Sequence, residues 1–161
     1  MNNFDFCLIK PVFFDDFPNL KKEANTKETR IYFGITININ NNNCFVPFES
    51  DLYDKPILQM YSQYALPSST RPMGGLNFEK CLIINDMKYI EVVEHPRIAH
   101  SQYTKLIAEQ ELIKVKLETY IRKYIRACRK NRENLDYIFN CSTLHEFKVE
   151  LGIITTITPE K

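Results

Sequence analysis

No apolar run in this chain approaches the roughly 18 residues of a membrane-spanning helix. The longest are short pieces such as Cys81-Leu82-Ile83-Ile84, so no membrane partner is expected. The first residues, MNNFDFCLIK, lack the basic start and long apolar stretch of a secretion signal. The five cysteines (7, 44, 81, 128, 141) are odd in number, widely spaced and without a CxxC pair. That pattern excludes a disulfide framework and a cysteine zinc site, and fits reduced thiols in a cytoplasm. Three scattered histidines (95, 100, 145) suggest neither a metal cluster nor a cofactor site. Glycine is scarce, four in all, so the adjacent pair Gly74-Gly75 is expected to mark a backbone shape no other residue adopts. A large net charge is also missing: Lys+Arg 21 against Asp+Glu 20 gives +1, which at first sight argues against a polyanionic partner.

What is present is the material of a folded protein. The 161 residues are 44% hydrophobic and 25% charged, enough to bury a core within one domain. The charge is unevenly spread. Residues 1–100 carry 10 basic and 12 acidic side chains, and residues 101–161 carry 11 and 8. The first hundred residues read mostly as strands and turns. Phe6 to Ile9 is a short strand closed by Pro11, and Ile31 to Ile39 alternates Ile35, Ile37 and Ile39 with Thr36 and Asn38. The Asn run that follows predicts a hairpin turn into Cys44-Phe45-Val46, because Asn tolerates positive φ. Residues 57–64 hold a helical turn or two, Cys81 to Ile84 is a further strand, and Asn85-Asp86 predicts a second hairpin into Tyr89–Val93.

From Gln102 the period changes. Tyr103, Leu106, Gln110, Ile113, Leu117, Tyr120, Tyr124 and Cys128 recur at spacings of three and four, with no Gly or Pro between residues 97 and 151. One long helix is predicted, or two with a break near Asn131–Asn134. Ser142 or Thr143 followed by Glu146 reads as the cap of a last short helix ending at Gly152, after which IITTI is expected to return to the sheet.

Within the long helix, Arg122, Lys123, Arg126, Arg129, Lys130 and Arg132 follow one another with no acid among them. Arg122, Arg126 and Arg129 share one face, and Lys123, Arg126 and Lys130 share its neighbour. Such a run is either a solvated helix face or a phosphate-contacting surface, since clustered cations release counterions from a polyanion.

Four segments, in chain order, resemble the ToxN/AbiQ family of type III toxin–antitoxin toxins. Phe33-Gly34-Ile35 and Pro47-Phe48-Glu49-Ser50 are similar to its strand–turn–strand, and GGLNFEKCLIIND (74–86) to a Gly-Leu-x-Asn strand. Tyr103, Leu106, Ile107 and Gln110 resemble its Tyr-x-x-Leu-Leu-x-x-Gln helix, and Cys141, Leu144, Glu146 and Phe147 its closing helix.

The resemblance implies an α+β fold, a strongly twisted antiparallel sheet with a Kid/MazF-like barrel core packed with long C-terminal helices. It implies a metal-independent endoribonuclease that attacks with the RNA 2′-hydroxyl and leaves a 2′,3′-cyclic phosphate. It further implies inhibition by a repetitive small RNA folded as a pseudoknot. The toxin processes that RNA and binds it in a closed heteromer, and cellular or phage mRNA is the substrate when it is free. Ser50 matches the second member of the family's hydroxyl pair, whereas Glu49 replaces the first. The lysine expected two residues after Ser50 is Leu52, so either a longer loop lets Lys55 fill the role or the electrostatic work falls to another residue, and Arg30 matches a second family lysine. Each also has an ordinary reading, as a turn cap, a solvated cation and a strand-end charge. Arg71 is a further phosphate-binding candidate, and Tyr32 and Tyr53 are candidates for base stacking. The alternative reading is a non-catalytic nucleic-acid-binding regulator.

Overall fold

The computed structural model describes residues 2–23 and 32–154; Arg30 and the segment after Ile154 lie outside them. Strand β1 (Phe6–Ile9) leads into two short helices, α1 (Pro11–Asp16) and α2 (Pro18–Glu23). The run Val12-Phe13-Phe14 is therefore helical, because Pro11 at the first position presets φ for a helix start. It buries Phe13 and Phe14 against Tyr89 and Tyr32 in edge-to-face pairs.

The hairpin of β2 (Tyr32–Ile39) and β3 (Asn42–Glu49) follows the predicted turn. Asn40 and Asn41 hold φ of 50° and 65°, the left-handed pair a two-residue hairpin loop requires. The chain then forms α3 (Pro56–Tyr61), β4 (Gln63–Ala65), β5 (Gly75–Asn77), β6 (Leu82–Ile83) and β7 (Ile90–Val92). The seven strands form an antiparallel sheet in the order β4-β5-β3-β2-β1-β7, with β6 also on β3. Among the described residues the sheet is open rather than barrel-like, because the short end strands β4 and β7 do not pair. Asn85-Asp86 is no hairpin turn either. Asn85 accepts from the Asn43 amide and Asp86 caps the 3-10 turn Met87–Tyr89, which sends the chain across to β1.

Gly75 pairs with Glu49, and a Cβ there would lie 2.3 Å from the Tyr64 carbonyl oxygen. The need at the glycine pair is therefore close approach. The pleat puts Phe6, Phe33 and Phe48 together across β1, β2 and β3, with Tyr103 stacked on Phe6 at 6.0 Å.

The helical stripe is divided at Glu109, not near Asn131, giving α4 (His100–Ala108) and α5 (Gln110–Arg129). No helix breaker sits there; tertiary anchors set two axes. In α4, Gln102 and Lys105 donate to the carbonyls of Leu66 and Ala65, while in α5 Lys116 donates to those of Gln59 and Gln63. Ile113, Leu117, Tyr120, Tyr124 and Cys128 are buried as predicted, whereas Tyr103 is half exposed. α5 stops where Asn131 takes a φ of 53°, and the residues beyond are turns and a 3-10 helix (Thr143–Phe147) capped by Ser142. No described helix is long and apolar enough to cross a membrane.

Candidate active site and nucleic-acid interface

Ser50 follows directly on β3, half-buried at a bend, and its hydroxyl makes no hydrogen bond among the described residues. Beside it the Glu49 carboxylate holds two partners. Lys80 Nζ lies 2.7 Å from one oxygen, and Asn77 Nδ2 donates to the other at 3.1 Å. Asn77 is brought there by the β3–β5 register, and its own carbonyl oxygen accepts from the Glu79 amide at 3.0 Å. Tyr32 donates to the Lys80 carbonyl at 3.4 Å. Burial, reinforced by Glu49, keeps the Tyr32 hydroxyl protonated far above its ordinary range. The residue before Ser50 thus carries a paired cation and a paired amide.

Burial also raises the Glu79 carboxyl above the usual carboxylate range. The Lys80 charge opposes the shift and the Glu49 charge adds to it. A raised folded pKa means that the native state binds more protons than the unfolded chain between the ordinary value of 4.5 and the folded one. Stability should therefore fall as pH rises through that window. Thermal melts of Glu79→Gln across pH 4 to 8 should lose this slope and show a higher Tm than the wild type at neutral pH; coincident curves would contradict the assignment.

Lys55 is not drawn to Ser50. It precedes the first residue of α3 without a side-chain cap bond and donates to Tyr137 Oη at 2.7 Å, a bond that raises its pKa. Leu52, which stands where the family's lysine is expected, is a core residue: it is 7% exposed and packed against Gly75. Lys80, 30 residues further along the chain than Ser50, brings a cation to Glu49, the residue before Ser50. Sequence reading passes over Lys80, Asn77 and Glu79, although all three lie inside the GGLNFEK segment.

The basic run is split by the helix. Arg122, Arg126 and Arg129 line one open groove with Glu118, Ile121, Ile125 and Asn40 at the hairpin tip. Lys123 turns away, its ammonium 4.1 Å from the centroid of the Tyr61 ring. Arg132 is held by Asp136 at 3.0 Å, and Lys130 is exposed just past the helix end. Arg71 is exposed in the Ser68–Arg71 turn, where its amide donates to Ser68 Oγ.

No family model and no curated protein matches this chain. Among solved structures, one from a study of bacterial type III toxin–antitoxin systems and selective toxin inhibition by a non-coding RNA pseudoknot is similar at 18% identity. The match has a TM-score of 0.42 and covers 99% of this chain and 84% of that one.

Proposed function

We infer that this chain is a metal-independent endoribonuclease, the toxin of a type III toxin–antitoxin pair, as its resemblance to the ToxN/AbiQ family implies. The observation that carries this reading is the convergence of the resembling segments. In the first, Gly34 pairs with Pro47, and its Glu49 and Phe48 pair with Gly75 and Leu76 of the second. Tyr103 of the third closes the aromatic stack over Phe6, which also touches Phe33 and Phe48. Three of the four thus meet around the strand end that carries Ser50, and Thr143 of the closing segment bonds the Glu79 carbonyl in the second.

The chemistry is attack of a ribose 2′-oxygen on the adjacent phosphorus, its proton passing to water, with departure of the 5′-oxygen, which takes a proton from water, and a 2′,3′-cyclic phosphate left behind. Ser50 donates to a non-bridging phosphate oxygen, and Lys80 with Arg30 offsets the charge that develops on the phosphorane. Lys55 and Arg71 contact flanking phosphates, and Arg122, Lys123, Arg126, Arg129, Lys130 and Arg132 form the wider RNA-binding face. The natural inhibitor is a repeat RNA, folded as a pseudoknot, that the protein processes and holds in a closed heteromer. Free protein cuts cellular or phage transcripts in the cytoplasm.

The purified protein, incubated with RNA in EDTA, should yield fragments ending in cyclic phosphate, and Ser50→Ala should slow their appearance about 100-fold or more. RNA that stays intact across several adenine-rich substrates would overturn the reading. It would also favour the regulator alternative, for which one feature speaks: Glu49 already neutralises the Lys80 ammonium at 2.7 Å.

A further inference from the structure

The groove at the tip of the β2–β3 hairpin lies at the opposite end of β3 from Ser50. β3 runs eight residues from Asn42 to Glu49, a span of about 25 Å. Its volume is about 470 Å³, within the range of ligand sites, and its lining is unusual for a solvated helix face. Half-buried Ile125 contributes apolar surface, and Ile121, 2% exposed, lies buried in its lining. Arg122, Arg126 and Arg129 stand along it, and among the described residues none of the three makes an ion pair or a side-chain hydrogen bond. Several cations elsewhere are engaged: Lys80, Lys105, Lys148 and Arg132 by carboxylates, Lys116 by carbonyls and Lys55 by a phenol, whereas other unpaired ones such as Arg71 and Lys130 stand outside this groove. Glu118 and Arg122 stand four apart in the order that favours pairing, yet no ion pair joins them.

Resting on the RNA reading above, we propose that this groove is an RNA exosite, separate from the cleavage centre, that grips one unstacked nucleotide of a single strand. The base lies on Ile125, which a duplex would keep out of reach, and the three arginines take the flanking phosphates. A carboxylate among phosphates is repelled unless it meets a donor. Glu118 therefore accepts from the ribose 2′-hydroxyl, the group that separates RNA from DNA. Asn40, held at φ 50° by the turn, presents an amide able to both donate to and accept from a base edge. The Asn-rich tip thus has a recognition role as well as a turn role.

Binding of a labelled, unstructured oligoribonucleotide, measured by anisotropy over a salt series in a Ser50→Ala background, tests this. Each phosphate contact on a single strand contributes about 0.7 to the slope of log K against log salt, so Arg122→Ala/Arg126→Ala/Arg129→Ala should lower that slope by about 2. If the triple variant melts early, Arg126→Ala alone should lower it by about 0.7. Glu118→Gln should reduce the preference for RNA over the same DNA strand about tenfold. Asn40→Gly, which keeps the turn, should weaken binding without changing the slope. An unchanged slope in the arginine variants, or duplex RNA bound as tightly as the single strand, overturns the exosite. The two readings fail differently. Wild-type protein that binds in this pattern but leaves RNA intact in EDTA refutes the nuclease and keeps the groove. Protein that cuts RNA while the triple variant binds like its parent refutes the groove alone.

Discussion

Gly34→Ala is expected to leave the chain unable to hold its native fold. β2 is hydrogen-bonded on both sides, with Gly34 opposite Cys7 of β1 and Pro47 of β3. A Cβ at this position would lie 2.2 Å from the Val46 carbonyl oxygen and 2.7 Å from Phe45 Cζ. The first contact is backbone inside a paired ladder, so it cannot swing aside, and the second is a ring that is fully buried. Relief requires prising β3 from β2, which would also disturb the pairing of β5 and β6 with β3. A cost of about 4 kcal/mol or more is expected, a large share of a small domain's stability. Urea denaturation followed by circular dichroism reads it directly, and a midpoint near that of the wild type would refute the account. Gly152→Ala is the contrast. Its φ of +71° is unfavourable for alanine but nothing lies within 4 Å of the added atom, so the cost should stay near about 1 kcal/mol.

Lys80→Ala should lower the rate of RNA cleavage about 100- to 1000-fold with a much smaller change in KM, the effect of removing a charge that acts on the transition state. Lys55→Ala, whose ammonium is turned to Tyr137, should act mainly on KM. The pair also predicts a gain. Glu49→Thr removes the carboxylate that holds Lys80 at 2.7 Å and restores a hydroxyl beside Ser50, so cleavage should rise about tenfold. Single-turnover rates in EDTA separate these outcomes. A Glu49→Thr variant slower than wild type would mean that Glu49 takes part in the chemistry, and a Lys80→Ala variant of full rate would remove Lys80 from it.

The readable parts of this fold were those governed by short-range chemistry. The hairpin was legible because Asn40 and Asn41 are among the few side chains that accept φ near +50° to +65°. The buried stripe of α5 was legible because its spacing repeats over five turns. The division at Glu109 was not, since it follows from where Leu66, Gln59 and Gln63 offer carbonyls to Gln102 and Lys116. The same holds for the candidate site. Ser50 was singled out only through the family resemblance, and Lys80 and Asn77 reach Glu49 only through the β3–β5 register. Leu52 marked a missing lysine in sequence; in space it fills the core under Gly75, and the charge enters from a different element.

The β2–β3 hairpin joins the proposed exosite and the cleavage centre through a single rigid element, and that makes it a ruler. Its length of about 25 Å corresponds to about seven stacked nucleotides of one strand. An RNA held at the Asn40 tip is therefore presented to Ser50 at a fixed number of residues from its anchor. Oligonucleotides shorter than that span should be cut from either end without register, and longer ones at one preferred distance. Adding one residue pair to each strand should move the cut by about two nucleotides without altering the chemistry of the break.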